Sequence, residues 1–239
     1  MHRKGAQDKK RSSLFSKLSK EITVAAKMGG PDPDSNARLR LAIQNARTQS
    51  MPKDNILRAV KKSESSDSEN YDEVRYEGFG PGGVSIIVES LTDNRNRAAS
   101  DIRTAFSKNG GNMGEAGSVA YQFEKVGEII FEESSKSADD MFEIALEAGA
   151  HNVESEDAVH EIMCSMEDLN SVSSALIEAL GEEPKSANLI WKAQNTIELD
   201  EETAMKLMKM IDALEELDDV QSVYGNYEIS DEVMEKLGA

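Results

Sequence analysis

Residues 159–180, VHEIMCSMEDLNSVSSALIEAL, decide the fold class because their hydrophobic period changes within one short stretch. In Val159–Cys164, His160, Ile162 and Cys164 recur at every second position and share one face, which predicts a strand. From Glu167 to Leu180 the apolar side chains recur every three or four positions instead, which predicts an amphipathic helix. A strand followed by a helix of this kind indicates an α+β protein.

The neighbouring segments extend this pattern in both directions. The predicted elements are strand 128–131, helix 138–148, strand 152–153, strand 159–164, helix 167–180 and strand 188–197. Their order, βαββαβ, is that of a ferredoxin-like domain, in which two helices cover one face of an antiparallel sheet. We therefore predict a ferredoxin-like domain over residues 125–198.

The segments on either side of this domain are incomplete when each is taken alone. The predicted elements there are strands 74–77, 84–91, 119–123 and 220–227 and helices 97–108 and 201–216. We expect the C-terminal pair to return to the earlier strands and complete their sheet. This predicts a discontinuous ferredoxin-like domain over residues 74–124 plus 199–239, with residues 125–198 inserted into it.

The first 62 residues are predicted to be helical, and a linker separates them from the sheets. Helices are expected at 12–28, 35–49 and 50–62, the last with Ser50 as its cap and Pro52 in its first turn. The linker, residues 63–73, begins with eight serine, acidic and asparagine residues. The predicted architecture is α+β, with a three-helix domain at 1–62 followed by two ferredoxin-like domains.

Charge is distributed unevenly along the chain. Residues 1–62 contain fifteen Lys and Arg and five Asp and Glu, whereas the other 177 residues contain twelve and forty, which gives −18 overall. A basic segment in an acidic chain commonly contacts a polyanion such as nucleic acid. Two alternatives stay open, a solvated helical face and a basic segment docked on the acidic part of the same chain.

The composition argues against several classes of protein. Apolar runs such as Ser85–Val88 are too short to cross a membrane, and no apolar run follows the basic N-terminus to form a signal peptide. The single cysteine, Cys164, cannot form an intramolecular disulfide and fits a reducing compartment. We predict a cytoplasmic protein with no membrane partner.

No pattern of residues predicts an enzyme. His2, His151, His160 and Cys164 show none of the spacings of zinc or metalloprotease sites. His160 and Cys164 would lie roughly 13 Å apart on one strand, too far for a nucleophile and its base. We therefore predict no catalytic residues, no metal, no cofactor and no small-molecule substrate.

A glycine-rich stretch lies between two predicted strands. It consists of Gly78, Phe79, Gly80, Pro81, Gly82 and Gly83, with the spacing G-x-G-x-x-G. A dinucleotide site would need a helix next and an acidic residue about 20 positions on, but a strand follows and position 103 is Arg103. Two interpretations remain, a tight hairpin with positive φ and a close-approach loop, where bare backbone meets an RNA, peptide or ribosomal surface.

Two arginines lie at the predicted start of the helix that follows. Asp93 or Asn94 can cap this helix, whereas Arg95 and Arg97 oppose its dipole. The arginines either pair with acidic neighbours or bind phosphate beside the helix amides, and the sequence favours neither interpretation.

Two longer stretches carry a resemblance to a known family. Residues 76–97, YEGFGPGGVSIIVESLTDNRNR, and residues 2–11, HRKGAQDKKR, closely resemble the YebC/PmpR family, which includes the mitochondrial translational activator of cytochrome oxidase. Residues 106–123 look like the next segment of that family, so the resemblance covers essentially the whole chain. It implies a helical domain and two ferredoxin-like domains, of which the first is interrupted by the second.

The resemblance also implies a non-enzymatic, cytoplasmic regulator of gene expression. Members are described as DNA-binding transcriptional regulators, or as ribosome-associated factors that help translation through stretches such as proline runs. They usually carry a segment resembling AGHSKWxNIK before the His-Arg-Lys, whereas Met1 directly precedes His2 here. Either the start is placed late or the nucleic-acid surface is smaller than in those relatives.

We therefore predict a regulator that binds DNA through its basic N-terminal domain. Ribosomal RNA on the ribosome is the alternative partner, and an acidic protein-interaction module is the second alternative. The predicted phosphate-binding residues are Arg3, Lys4, Lys9, Lys10, Arg11, Lys17, Lys20, Arg38, Arg40, Arg47, Arg58, Lys61 and Lys62, with Arg95 and Arg97 as secondary contacts.

Overall fold

The computed structural model describes residues 2–64, 70–132, 136–156 and 159–237, with side chains from residue 10 to residue 236 of those ranges. The chain divides into two compact units. The first consists of Met1–Lys17, Asp67–Glu124 and Trp191–Ala239, and the second consists of Leu18–Ser66 and Lys125–Ile190.

Helices and strands are mixed in the α+β manner that the sequence predicts. The helices are α1 (His2–Gly29), α2 (Ala37–Thr48), α3 (Lys53–Lys62), α4 (Arg95–Lys108), α5 (Ala138–Ala148), α6 (Leu169–Leu180), α7 (Glu201–Glu215) and α8 (Asp231–Leu237). The strands are β1 (Asp72–Phe79), β2 (Ser85–Thr92), β3 (Asn112–Met113), β4 (Phe123–Phe131), β5 (Asn152–Glu156), β6 (Val159–Ser165), β7 (Ser186–Ala193), β8 (Ile197–Glu198), β9 (Val220–Gly225) and β10 (Tyr227–Glu228). The predicted α+β class is confirmed.

The sheet of the first unit has the strand order β3-β1-β2-β9. Its centre is the antiparallel hairpin of β1 and β2, and β9 pairs with β2 so that Val88 lies opposite Val223. Residues of β2, α4 and α7 share one core, in which Ile86, Phe106 and Leu207 are fully buried. The C-terminal strand β9 therefore belongs to the same sheet as the hairpin.

The sheet of the second unit has the strand order β5-β6-β4-β7. Strand β6 is antiparallel to both β4 and β5, and its Ile162 lies opposite Ile129 and Val153. Helices α5 and α6 pack on this sheet through a core that includes Met141 and Leu176. The observed order, β4-α5-β5-β6-α6-β7, is the βαββαβ order that the sequence predicts.

Several predicted strands have different bounds in the structure, and two of them differ most. Residues 119–122 do not form a strand, because the backbone N–H groups of Val119 and Ala120 donate to the carboxylate of Glu77 and a 3₁₀ turn follows at Ala120–Gln122; β4 begins only at Phe123. The strand predicted at 188–197 ends at Ala193, and the separate strand β8 pairs in parallel with β10.

The N-terminal helices also differ from their predicted bounds. Helix α1 begins at His2 rather than Ser12, since the intervening lysine, glutamine and alanine residues are good helix formers. Ser50 does not cap α3: its φ is 58°, and Pro52 occupies the N-cap position without a side-chain hydrogen bond. Residues 65–69 of the predicted linker lie outside the described residues, and the domain boundaries proposed from the sequence stay a prediction.

Candidate nucleic-acid interface

The basic residues of the first unit begin in the N-terminal half of α1. Lys10 and Arg11 are exposed, and the guanidinium carbon of Arg11 lies 5.3 Å from the ring centre of Phe15. Lys17 donates from Nζ to the carbonyl oxygen of Glu215 at 2.7 Å, which neutralises the negative end of α7. Arg3, Lys4 and Lys9 belong to α1, and their side chains lie outside the described part of the chain.

Several predicted phosphate ligands in the second unit are engaged with their own chain. Arg38 forms a bidentate pair with Glu21, with N–O distances of 2.7 and 3.0 Å. Arg40 donates to the carbonyl oxygens of Pro33 at 3.1 Å and Asp34 at 3.0 Å. Arg38 thus ties α2 to Glu21 on α1, and Arg40 ties α2 to the segment that connects the two helices.

The cations on α3 and at the end of α2 face solvent. Arg47, Arg58, Lys61 and Lys62 are exposed, whereas Lys20 on α1 is half-buried. Arg58 donates to the carbonyl oxygen of Asp54 at 3.2 Å and contacts Asn55, so its guanidinium is held along the helix. The structure therefore brings Arg58, Lys61 and Lys62 together on one short helix.

The structure adds Lys53, which the sequence analysis did not select. Lys53 is the first residue of α3 and is exposed. The sequence signal for Lys53 is that Lys53, Leu57 and Lys61 are spaced four residues apart, and residues with this spacing lie on one face of a helix.

Arg95 and Arg97 are paired with carboxylates. Nε of Arg95 lies 2.9 Å from Oδ2 of Asp72, and Nη2 of Arg97 lies 2.7 Å from Asp93 and 2.8 Å from Asp219. The hydrogen bond to Asp219, followed by that to Asp93, raises the pKa of Arg97. Asn94 caps α4 by accepting from the backbone N–H of Arg97. These pairs favour the first of the two interpretations, in which the arginines neutralise acidic neighbours.

The glycine-rich loop is a hairpin turn whose glycines are required by packing inside the unit. Gly82 and Gly83 have φ values of 74° and 75°. A Cβ atom on Gly80 would lie 2.7 Å from Met210, and one on Gly82 would lie 2.7 Å from Thr203. A Cβ on Gly83 would meet nothing within 4 Å, so close approach of a ligand is sterically open at that residue. The close-approach role of Gly78–Gly83 stays a prediction.

Glu77 organises the loop beside this hairpin, and the sequence analysis did not select it. Its side chain is 0% exposed and accepts hydrogen bonds from the backbone N–H groups of Gly117, Val119 and Ala120 at 2.8 to 2.9 Å. Burial alone would raise the pKa of Glu77, but these donors and the nearby Arg75 lower it. The sequence signal that could have identified Glu77 is an acidic residue at a strand position that faces inward.

Arg75 links Glu77 to Trp191 in the same unit. Its Nε atom lies 3.2 Å from Oε1 of Glu77, and its guanidinium carbon lies 4.9 Å from the ring centre of Trp191. The indole N–H of Trp191 donates to Glu89 at 2.9 Å. This network holds polar groups in fixed positions on the sheet face opposite α4 and α7.

The histidine and the cysteine of β6, His160 and Cys164, are both buried. His160 is 2% exposed on β6, and its Nδ1 atom lies 2.8 Å from the hydroxyl of Ser155. Burial, and then the carboxylate of Asp168, raises the pKa of the Cys164 thiol to about 11.

Within the four described ranges, no three His, Cys, Asp or Glu residues are grouped to hold a metal ion. In those same ranges, no helix combines the length and apolar character needed to cross a membrane.

Comparison with known proteins gives consistent matches along the chain. The family model for the TACO1/YebC N-terminal domain matches residues 1–66, and that for the TACO1/YebC second and third domains matches residues 71–227. A crystal structure of the conserved hypothetical protein Aq1575 from Aquifex aeolicus is 46% identical, with a TM-score of 0.85. The similarity covers 92% of this chain and 91% of that one.

These matches agree with the resemblance carried by residues 2–11 and 76–97, and they extend it over both units. Membership supports, in general terms, a nucleic-acid-binding regulator of transcription or translation. On this basis the chain belongs to the TACO1/YebC family.

Proposed function

We propose that this protein is a non-enzymatic regulator of gene expression that binds DNA through its basic N-terminal region. The observation that carries the proposal is the excess of fifteen basic over five acidic residues in positions 1–62 of a chain whose net charge is −18. Lys10 and Arg11 on α1, and the cations of α3, keep this charge at the surface. Phosphate neutralisation by such side chains releases counterions and drives association.

The acidic remainder of the chain supports the same assignment. It contains forty Asp and Glu and twelve Lys and Arg, so its field repels nucleic acid over most of the surface. Binding is then restricted to the basic segment. We further propose that the protein acts in the cytoplasm without a cofactor, and that residues 1–62 form a distinct nucleic-acid-binding domain.

A salt titration of the full-length protein tests this function. We expect fluorescence anisotropy with labelled DNA to show an affinity that falls steeply with salt concentration. The double variant Lys10→Ala/Arg11→Ala should lower the magnitude of the salt slope by about 2, since each phosphate contact contributes roughly one unit. Lys206→Ala is the matched control, because Lys206 is exposed on α7 and paired with Glu202 at 2.6 Å. A salt-independent affinity would overturn the proposal.

Ribosomal RNA is the second candidate ligand. The same restriction of positive charge to one segment suits a protein that contacts RNA at one end while its acidic part stays in solvent. Crosslinking in cells followed by sequencing distinguishes the two candidates. Reads concentrated on ribosomal RNA support the translation role, and reads on promoter DNA support the transcription role.

A further inference from the structure

Helices α2 and α3 are joined by a tight turn of four residues, Gln49 to Pro52. The N–H of Met51 donates to the carbonyl of Ala46 at 2.9 Å, and the N–H of Ser50 donates to that of Arg47 at 2.8 Å. These two bonds, with Ser50 at a φ of 58°, form a Schellman motif. The turn is therefore fixed by backbone hydrogen bonds and has one defined geometry.

Buried residues lie on both sides of this turn. Ala46, near the end of α2, is 0% exposed. Met51 in the turn and Ile56 and Ala59 on α3 are each 5% exposed and supply the apolar contacts. Thr23 of α1 donates from its hydroxyl to the carbonyl oxygen of Ala59 at 3.0 Å, which fixes α3 from a third helix. A helix-turn-helix consists of two helices that cross at about 90–120° and are joined by a three- or four-residue turn, and the four-residue connection here has that length.

Helix α2 is anchored to the body of its own unit. Gln44 donates to the carboxylate of Glu183 at 2.6 Å, and Asn45 donates to Asn188 at 2.6 Å. Leu41 packs against the core of the second sheet. Helix α2 therefore serves as the supporting helix of the motif.

Helix α3 presents a basic and partly apolar face to solvent. Lys53, Leu57 and Lys61 are exposed and lie four residues apart, so they follow one another along the helix. Arg58 and Lys62 are exposed beside this row. Leu57 is 46% exposed between two lysines, which combines cations for phosphates with an apolar side chain suited to the methyl group of thymine.

We propose that residues 37–62 form a helix-turn-helix in which α3 enters the major groove of B-form duplex DNA. The inference rests on the proposed function that this chain binds DNA, and it assigns that binding to α3 and to the major groove of the duplex. A recognition helix of this kind fits the wide major groove of DNA. The major groove of duplex RNA is too deep and narrow for it.

The first test compares ligands and variants of the full-length protein by fluorescence anisotropy. The probes are a random-sequence DNA duplex of about two helical turns, roughly 20 base pairs, and the corresponding RNA duplex. We expect the wild type to prefer DNA at least tenfold. The variant Lys53→Ala/Leu57→Ala/Lys61→Ala should lose at least tenfold in DNA affinity, with the magnitude of its salt slope lowered by about 2.

A matched control removes similar side chains elsewhere. Met205 and Lys206 are exposed neighbours on α7, and the double variant Met205→Ala/Lys206→Ala should keep the wild-type affinity. Circular dichroism checks that the α3 variant is folded; because all three of its changed side chains are exposed, we expect the native spectrum.

The second test asks which groove is used. Methylation of guanine N7 blocks the major groove, so DNA methylated there should bind at least tenfold more weakly. Equal binding of DNA and RNA duplexes, or of methylated and unmethylated DNA, would overturn the helix-turn-helix assignment while leaving nucleic-acid binding intact. Failure of the wild type to bind any of these probes would overturn the proposed function as well.

Discussion

Nη2 of Arg97, on the first turn of α4, lies 2.8 Å from Oδ2 of Asp219, which precedes β9. The hydroxyl of Thr92 contacts the same carboxylate oxygen at 3.0 Å, and Asp219 is 9% exposed. The carboxylate thus connects β2, α4 and the start of β9. This makes Arg97 a stabilising residue of the first unit, since it compensates a charge that is largely removed from water.

Replacing Arg97 should reduce stability and leave nucleic-acid binding unchanged. Arg97→Ala leaves the carboxylate of Asp219 without its cation, so the thermal unfolding midpoint should fall measurably. Arg95→Ala is the control, because Arg95 and Asp72 are both more than half exposed and such pairs contribute little. If Arg97→Ala instead weakens DNA binding as much as Lys10→Ala/Arg11→Ala does, then Arg97 contacts phosphate.

Replacing Glu77 should destabilise the first unit in a pH-dependent way. Glu77→Gln removes a buried charge that accepts three backbone hydrogen bonds, and we expect a loss of about 2 kcal/mol in the free energy of unfolding at neutral pH. Because the pKa of Glu77 is lowered from 4.5, its stabilisation is present above that value and is lost as pH falls through the folded pKa.

Urea unfolding of wild type and Glu77→Gln at neutral pH and near pH 4 measures this difference. The gap between the two proteins should begin to narrow below pH 4.5, because the carboxylate is protonated in the unfolded chain at a higher pH than in the folded protein. Glu124→Gln is the control, because Glu124 belongs to the same unit and is exposed. A gap that is independent of pH would show that the charge of Glu77 does not contribute.

Replacing Ser50 by glycine should stabilise the turn between α2 and α3. Ser50 has a φ of 58°, a conformation that glycine adopts without a steric penalty. We expect Ser50→Gly to raise the free energy of unfolding by about 0.5 to 1 kcal/mol and Ser50→Ala not to raise it. Urea denaturation of the three proteins gives the comparison. Equal effects of glycine and alanine would mean that the turn relaxes out of this conformation.

The two neighbouring glycines of the hairpin turn should respond unequally to alanine. Gly83→Ala should cost about 1 kcal/mol, because its φ is 75° but an added Cβ meets no atom within 4 Å. Gly82→Ala should cost more, since the added Cβ would also lie 2.7 Å from Thr203. Thermal unfolding ranks the variants. The combination Gly82→Ala/Thr203→Ser should recover part of the loss if this contact is responsible.

Cys164 should be unreactive in the native protein. Its thiol is buried and its pKa is raised to about 11, so the thiolate is scarce at neutral pH. Labelling with a chromogenic disulfide should be slow in buffer and fast in concentrated urea. Rapid labelling of the folded protein would contradict the buried position of this side chain.

Much of the fold follows from local patterns. The leucine and valine spacing of 167–180 corresponds to α6, because hydrophobic periodicity reports which face of a helix is buried. His160, Ile162 and Cys164, which share one face of the predicted strand, are all buried on β6. The hairpin turn at 78–83 is also predictable from local sequence, because its glycines allow the positive φ angles that a tight turn needs. The bounds of α1 were less predictable, since polar helix formers between His2 and Arg11 carry no hydrophobic period.

The sequence by itself determined the α+β class, the βαββαβ order of the elements in the second unit and the concentration of positive charge in residues 1–62, because all three depend on residue type and local spacing. Tertiary structure decided which of the predicted phosphate-binding cations are paired with carboxylates of the same chain. Arg97 meets Asp219, 122 positions away, and Arg38 meets Glu21, 17 positions away. It also replaced residues 119–122 of the predicted strand at 119–123 by a turn, since Glu77 accepts hydrogen bonds from that backbone from about 40 residues earlier. Contacts between distant residues arise only when the chain is folded, and local patterns do not encode them.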